Sequence, residues 1–222
     1  LKDFLERQID FERLAAFTAL KVFVTATKVS SGKAEIFTGK RLTAQSVMAS
    51  ACLPTVFRAV QIEGEDYWDG GYSGNPALYP LMYGCQSPDV LLVQINPLRR
   101  DTLPTSAADI LDRLNEITFN AALIAEIRAI DFVKRLLKQG KLDPAHYKDV
   151  HLHRIDGGAE LDAYPASTKA DTHGELLYQL RDLGRSAATR WLAQKLPLVG
   201  QHSSIDFAAD YLDDVLKSRS RR

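Results

Sequence analysis

The architecture of this chain depends on one stretch of ten residues, Tyr67-Trp68-Asp69-Gly70-Gly71-Tyr72-Ser73-Gly74-Asn75-Pro76. Before it, residues 60–62 alternate between apolar and polar side chains as a short strand does, and Gly64 with its acidic neighbours predicts a turn. Tyr67-Trp68 then predicts a returning strand. We therefore expect Asp69 at the point where a strand gives way to a loop.

Two interpretations of this loop are open. Gly70 and Gly71 permit positive φ angles and a close backbone approach that a Cβ would block. Asn75-Pro76 ends the loop, because proline keeps the residue before it out of the helical region. A carboxylate on such a loop at a strand end is a common position for a catalytic group in an α/β protein. An isolated Asp-Gly-Gly string, however, is more typical of a plain turn.

The segments around the loop favour the catalytic interpretation. In chain order they are Val24-Thr25-Ala26-Thr27, Phe37-Thr38-Gly39, Ala49-Ser50-Ala51-Cys52-Leu53-Pro54-Thr55-Val56-Phe57 and Asn75-Pro76-Ala77-Leu78. Each segment alone is a weak signal, but as a set they are specific. In this order and spacing, about residues 22–95 resemble the second half of the patatin-like phospholipase domain.

The resemblance implies a fold, a site and a reaction. The fold is α/β, a patatin-like three-layer α/β/α sandwich that is incomplete in this chain. The reaction is hydrolysis of a phospholipid or another fatty-acyl ester by a Ser-Asp dyad, with no metal or organic cofactor and with peripheral membrane contact left open. Carried over to this sequence, Asp69 is the catalytic Asp, and Gly70, Gly71, Asn75 and Pro76 form a loop that binds substrate.

The nucleophile of such a dyad is not among these residues. Patatin-like domains place a glycine-rich oxyanion loop and a Gly-x-Ser-x-Gly elbow before the region matched here, and this sequence has neither. Ser31 has only Gly32 beside it, and Ser73 has only Gly74. We therefore expect the serine in an N-terminal segment of the same protein that lies outside residues 1–222.

Composition excludes some classes of partner. Lys and Arg together number 28 and Asp and Glu together number 28, so the balance gives no support for a nucleic-acid partner. Cys52 and Cys85 form neither a disulfide framework nor a metal-binding spacing. We expect Cys52 to be a buried free thiol, and such cysteine usage is compatible with a cytoplasmic protein. No apolar run approaches the ~20 residues of a membrane span.

The first hundred residues read as the C-terminal part of a catalytic core, and residues 101–222 as a mostly helical extension packed on it. The run Val90 to Ile95 is almost continuously apolar, which predicts a strand covered on both faces. The rest of its sheet would come from the N-terminal segment. Other expected elements are a helical lead-in over residues 1–14, strands over 20–27 and 34–37, a helix from the N-cap Thr43 to Ala51, and a helix over 78–83.

The longest periodic segment, residues 105–139, predicts a helix capped by Thr105 or Ser106, stopped at Gly140, and kinked or broken near Asn120. Its polar side mixes acidic and basic residues, so a helix that covers the core is favoured over a membrane anchor. A second long helix is expected over residues 174–196, with Thr172 and Glu175 as a capping box. A short helix over 205–217 and a basic tail over 217–222 follow.

A strand over residues 150–155 places His151 and His153 on one face. Two histidines can begin a metal site, but no third ligand lies nearby in sequence, so we expect a pair of surface histidines. Asp156-Gly157-Gly158 repeats the Asp-Gly-Gly string without its flanking segments, which predicts a turn.

Three functions remain open from the sequence. The first is the serine lipid acyl hydrolase with the Ser-Asp dyad. The second is a catalytically silent patatin-like domain that binds lipid or protein. The third is a conventional hydrolase in which His151, His153 or His173 activates the serine.

Overall fold

The computed structural model describes residues 1–164, 168 and 171–212. The chain forms two compact units. The first unit contains residues 1–85 and 121–126, and the second contains residues 86–120 and the described residues from 127 onwards. The boundary near residue 100 stays a prediction.

The first unit is built on a four-stranded antiparallel sheet in the order β2-β1-β4-β3. Its strands are β1 (Val24–Lys28), β2 (Ala34–Phe37), β3 (Val60–Ile62) and β4 (Glu65–Asp69). Its helices are α1 (Lys2–Gln8), α2 (Phe11–Ala16), α3 (Ala44–Ser50) and α4 (Tyr79–Gly84). Phe37 and Tyr67 meet edge to face in the core of this sheet with ring centroids 5.4 Å apart, and Ala26 and Ala49 are buried beside them.

The second unit is built on two parallel strands, β5 (Asp89–Gln94) and β6 (His151–Asp156). Its helices are the greater part of α5 (Ala107–Lys138), together with α6 (Gly158–Asp162), α7 (Gly174–Gln194) and α8 (Phe207–Asp210). Residues 121–126 of α5 belong to the first unit. Helix α7 packs on β6, where Leu152, Ala187 and Trp191 are buried.

The α/β class is confirmed, because the chain combines helices with an antiparallel and a parallel sheet. The strands over residues 34–37 and 60–62 are confirmed to the residue. Thr43 caps α3 as expected: its side chain accepts from the backbone N–H of Ser46, and the Ser46 hydroxyl accepts from the N–H of Thr43. The turn at residues 63–64 joins β3 to β4 with positive φ at both positions.

Several expectations about helices are wrong. The lead-in is two helices rather than one, because the chain is extended at Ile9 and Asp10 caps the second helix. Helix α5 runs from Ala107 to Lys138 without a break, and no glycine or proline interrupts it. The cap of α7 is His173 and not Thr172, because the Asp171 side chain already accepts from the backbone N–H of His173. The final helix is described only over Phe207–Asp210, and the basic tail lies outside the described residues.

Strand β5 lies in a parallel sheet, as expected, but only one of its faces is covered by described residues, and the cover expected from an N-terminal segment stays a prediction. One face of the strand is buried through Val90 and Leu92, but the other exposes Leu91, Val93 and Ile95 at 47%, 65% and 61%. A strand of a parallel sheet normally has helices on both faces. This face of β5 is therefore an apolar surface.

Among residues 1–164, 168 and 171–212, no helix combines the length and the apolar character that crossing a membrane requires.

Candidate active site at the Asp-Gly-Gly loop

Asp69 is the last residue of β4, as the sequence predicts. Its backbone is held on two sides. In the register of β1 and β4, Ala26 lies opposite Asp69, and the N–H of Asp69 donates to the carbonyl of Cys52 at 2.8 Å. Since β1 and the segment after α3 both come from the predicted flanking motifs, those motifs meet at this residue.

The carboxylate of Asp69 is fixed by the loop that follows it. Its Oδ1 accepts from the backbone N–H of Gly71 at 2.7 Å and so caps the 3₁₀ turn Gly70–Tyr72. Burial raises the pKa of the Tyr72 phenol, and the nearby negative charge of Asp69 raises it further. Burial also raises the pKa of the Cys52 thiol, with a smaller contribution of the same sign from Asp69. The carboxylate thus lies near a half-buried phenol and a buried thiol, and the hydrogen bond from Gly71 orients it.

Only one of the two reasons for glycine in this loop is confirmed. Neither Gly70 nor Gly71 has a positive φ, so the expectation of a left-handed conformation is wrong. The close approach is confirmed at Gly70, where a Cβ would lie 2.1 Å from the carbonyl oxygen of Thr25. Any side chain at position 70 would push β1 away from the start of the loop.

The sequence does not predict a pair of hydroxyl groups, from Thr27 and Ser73, next to the backbone of Asp69. The Thr27 hydroxyl donates to the backbone carbonyl of Asp69 at 2.7 Å, and its oxygen lies 2.7 Å from Oγ of Ser73. A hydroxyl has a single proton to donate, so Ser73 is the donor in the second bond. The proton of Ser73 is therefore directed at Thr27 rather than at a carboxylate. The Ala-Thr ending of β1, seen in the sequence only as a flanking motif, is the signal for this contact.

The loop beyond the glycines is anchored by a residue far along the chain. Asn75-Pro76 is a cis peptide bond, and the next residues reach α4. The carboxylate of Glu126 accepts from the N–H groups of Leu78 and Tyr79, each at 2.8 Å. Burial raises the pKa of Glu126, although these two hydrogen bonds act in the opposite direction. The roles of Asn75 and Pro76 in binding substrate stay predictions.

The histidine pair of β6 is not on the surface, which corrects the sequence expectation. His153 is 1% exposed, and its Nε2 lies 3.0 Å from Oδ1 of Asp89; Nδ1 of His151 lies 3.3 Å from the same oxygen. Nδ1 of His153 has no hydrogen-bond partner among the described residues, so no serine is paired with it there. The described part of the chain also contains no group of three or more His, Cys, Asp or Glu side chains arranged to hold a metal.

The second Asp-Gly-Gly string is a turn, as expected. Oδ1 of Asp156 accepts from the N–H of Gly158 at 3.1 Å, and its Oδ2 accepts from Nε of Arg154 at 2.7 Å. The two strings therefore share the same side-chain bond to the second glycine. At Asp156, an arginine also binds the carboxylate.

Comparison with known proteins supports the resemblance seen in the sequence. Residues 1–82 match the model of the Patatin family, described as patatin-like phospholipase, and Asp69 with its loop lies inside this segment. A search of curated proteins gave no match to the chain.

Proposed function

Because residues 1–82 match a patatin-like phospholipase model, we propose that this protein is a serine lipid acyl hydrolase in which Asp69 is the aspartate of a Ser-Asp dyad. The observation that carries the proposal is the fixed carboxylate at the end of β4, inside the matching segment. The serine would come from a segment of the protein outside residues 1–222. The substrate is a phospholipid or another fatty-acyl ester.

In this mechanism Asp69 acts on the serine directly, without an intervening histidine. The carboxylate takes the hydroxyl proton as the serine oxygen attacks the ester carbonyl, and it passes this proton to the leaving oxygen, so that the alcohol departs and an acyl-enzyme remains. Asp69 then takes a proton from the water that attacks the acyl carbon and returns it to the serine oxygen as the fatty acid leaves. A base that must meet the hydroxyl directly needs a fixed position, and the bond from Gly71 supplies one. Donors for the oxyanion would come from the segment that carries the serine.

A serine-directed covalent probe tests the proposal. The full-length protein is treated with a fluorophosphonate, and the labelled peptide is identified by mass spectrometry. We expect one modified serine, located outside residues 1–222, and strongly reduced labelling in Asp69→Asn. Labelling of a serine within residues 1–222, or undiminished labelling in Asp69→Asn, would contradict the dyad.

A second function is favoured by one specific observation. The bond from Gly71 to Asp69 repeats the bond from Gly158 to Asp156, so capping a turn is enough to explain this hydrogen bond. A catalytically silent patatin-like domain that binds lipid or protein would need no more than this. The probe distinguishes the two functions, because a silent domain has no reactive serine to label.

The cellular location is proposed on the cysteines alone. Cys52 is a buried free thiol, as the sequence predicts. Free thiols are typical of a reducing compartment such as the cytoplasm. Contact with lipid would then be peripheral.

A further inference from the structure

The second unit contains a cavity of about 350 Å³ with mostly apolar walls, which we call the apolar lobe. Val93 and Ile155 line it from the strands, and Leu180, Leu183 and Ala187 line it from α7. The helical residues recur at intervals of three and four, so they share one face of α7. The lobe lies at the carboxyl ends of β5 and β6, the edge where open parallel sheets bind ligands. Its volume is within the range of about 300–1,000 Å³ that small-molecule sites occupy.

A second cavity of about 290 Å³ adjoins the first and has charged walls, so we call it the charged lobe. Gln94, Ile95, Asn96 and Leu161 line both cavities, so the two adjoin. Four charged side chains line the charged lobe, and these are the groups that a polar ligand would meet: Arg99, Arg154, Asp156 and Asp210. An apolar and a charged cavity therefore lie side by side.

We propose that the two lobes form one binding site for a single-chain amphiphile whose head group has no net charge. The hydrocarbon chain fills the apolar lobe and the head group lies in the charged lobe. This site belongs to residues outside the patatin-like segment, and the proposal does not depend on the dyad at Asp69.

The charge pattern selects the head group. Arg154 donates from Nε to Asp156 at 2.7 Å and from Nη2 to Asp210 at 3.4 Å, and its guanidinium lies over the Tyr211 ring. Arg99 and Arg154 line this lobe together with Asp156 and Asp210, so an anionic head would meet the aspartates and a cationic head would meet the arginines. A hydroxylated or zwitterionic head avoids both repulsions.

Two carboxylates line the apolar lobe, and neither needs a ligand, since Arg154 binds Asp156 and two other arginines bind Glu116. Glu116 is buried, and its oxygens accept from Arg100 at 2.6 Å and from Arg113 at 2.9 Å. These arginines hold the pKa of Glu116 below its usual value against the opposing effect of burial. With that charge compensated by protein groups, the apolar lobe can take a hydrocarbon chain.

Gly184 lines the apolar lobe on its exposed side. It lies within α7, on the face shared by Leu183 and Ala187. A glycine inside a helix lowers helix stability relative to alanine, so its presence needs a reason. Close packing is not that reason, because a Cβ built on Gly184 meets no atom within 4 Å. Glycine leaves this part of the wall of the apolar lobe without a side chain.

The same geometry supplies a blocking variant and a matched control. Gly184→Leu places a side chain in the open space on the lobe-facing side of α7. Gly174→Leu makes the same change at the start of this helix, where a Cβ also meets no atom within 4 Å and no lobe is lined. A second blocking variant, Ala188→Leu, lies on the same wall of the apolar lobe.

Isothermal titration calorimetry on the full-length protein tests the site with amphiphiles that contain no ester. The ligands are octyl and decyl glyceryl ether, decylphosphocholine and decanoate, each below its micelle concentration. We expect a neutral or zwitterionic ligand to bind, with about fourfold tighter affinity for each methylene added until the lobe is full. Decanoate should bind more weakly than the ligand of equal chain length without net charge. Tighter binding of the neutral glyceryl ethers would indicate a monoacylglycerol as the natural ligand, and tighter binding of decylphosphocholine would indicate a lysophospholipid.

Gly184→Leu and Ala188→Leu should weaken binding about tenfold or more, because each blocks space for several methylenes. Gly174→Leu should bind as the wild type does. Absence of binding by every ligand would overturn the proposal, and is the result expected if another protein segment fills the lobes. Wild-type affinity in a folded Gly184→Leu or Ala188→Leu variant would overturn it equally.

Discussion

Nε2 of His153 lies 3.0 Å from Oδ1 of Asp89, and both side chains are largely removed from water. The bond from His153 is the largest of the effects that lower the pKa of Asp89, and the N–H of Gly200 adds to it at 2.9 Å. His151 approaches the same oxygen, so one carboxylate holds the start of β6 and the loop after α7 together.

We expect Asp89→Asn to lower the free energy of unfolding at pH 7 by about 1.5–3 kcal/mol, as for a hydrogen bond to a charged group. A lowered carboxyl pKa gives stability that is present above the unfolded value of ~3.9 and is lost as pH falls through the folded value. The variant should therefore lose less stability than wild type on acidification. Thermal melts at pH 7 and near pH 3 measure both effects.

The matched control for Asp89 is Asp182. Its pKa is also lowered, here by a hydrogen bond from the adjacent Arg181, but the pair lies on the surface of α7. Asp182→Asn should leave the melts almost unchanged at both pH values, because exposed ion pairs contribute little. Equal effects of the two substitutions would mean that the His153 contact does not stabilise the second unit.

Glu126 should show the opposite dependence on pH. Burial raises its pKa, so its contribution is present below the unfolded value of ~4.3 and is lost as pH rises through the raised folded value. Glu126→Gln keeps an oxygen for the N–H groups of Leu78 and Tyr79 and removes the buried charge. We expect this variant to lose less stability than wild type in thermal melts as the pH rises from about 4 to 7.

Glu126→Ala tests whether the two backbone bonds matter. It leaves two N–H groups without their acceptor. Each N–H group that water does not reach should lower the free energy of unfolding by about 1–3 kcal/mol. The melting temperature should fall clearly at both pH values. A melt like that of Glu126→Gln would show that the loop before α4 does not depend on this carboxylate.

Two glycine substitutions should have opposite signs. Gly70→Ala places a Cβ 2.1 Å from the carbonyl oxygen of Thr25 and should lower stability by about 1–3 kcal/mol through overpacking. Gly184→Ala meets no atom within 4 Å and should raise stability by up to about 1 kcal/mol through helix propensity. Urea denaturation of both variants measures the difference, and a stabilising Gly70→Ala would contradict the close approach at the Asp69 loop.

The sequence predicts local structure well where the signal is local. The Thr43 cap and the strands over residues 34–37 and 60–62 depend on neighbours along the chain, and all are found where expected. Asp69 falls at a strand end for the same reason. The exposed face of β5 and the burial of His153 could not be predicted, because burial depends on elements far away in sequence.

The environment of the Asp-Gly-Gly loop shows the same limit. The position of the loop is predictable, but its contacts are not. Thr27 contacts Asp69 from 42 positions earlier in the chain, and Glu126 contacts Leu78 from 48 positions later. No spacing rule connects residues so distant. The reason for Gly70 is likewise a tertiary one, since it comes from the Thr25 carbonyl and not from a positive φ.

The last prediction separates the chemistry of Asp69 from its role in the turn. Asp69→Asn keeps an Oδ1 acceptor for the Gly71 N–H, and asparagine caps as well as aspartate does, so the melting temperature should stay near that of wild type. The proton acceptor is lost, and kcat of the full-length protein on a short-chain ester should fall by ~10²–10⁴. Asp69→Ala removes the cap as well and should lower stability by about 0.5–2 kcal/mol. Asp143→Asn, at a turn where the aspartate accepts from the N–H of Ala145, is the control and should change neither quantity. If Asp69 only caps the turn, Asp69→Asn will keep kcat near wild type and only Asp69→Ala will melt earlier, a result that would falsify the dyad.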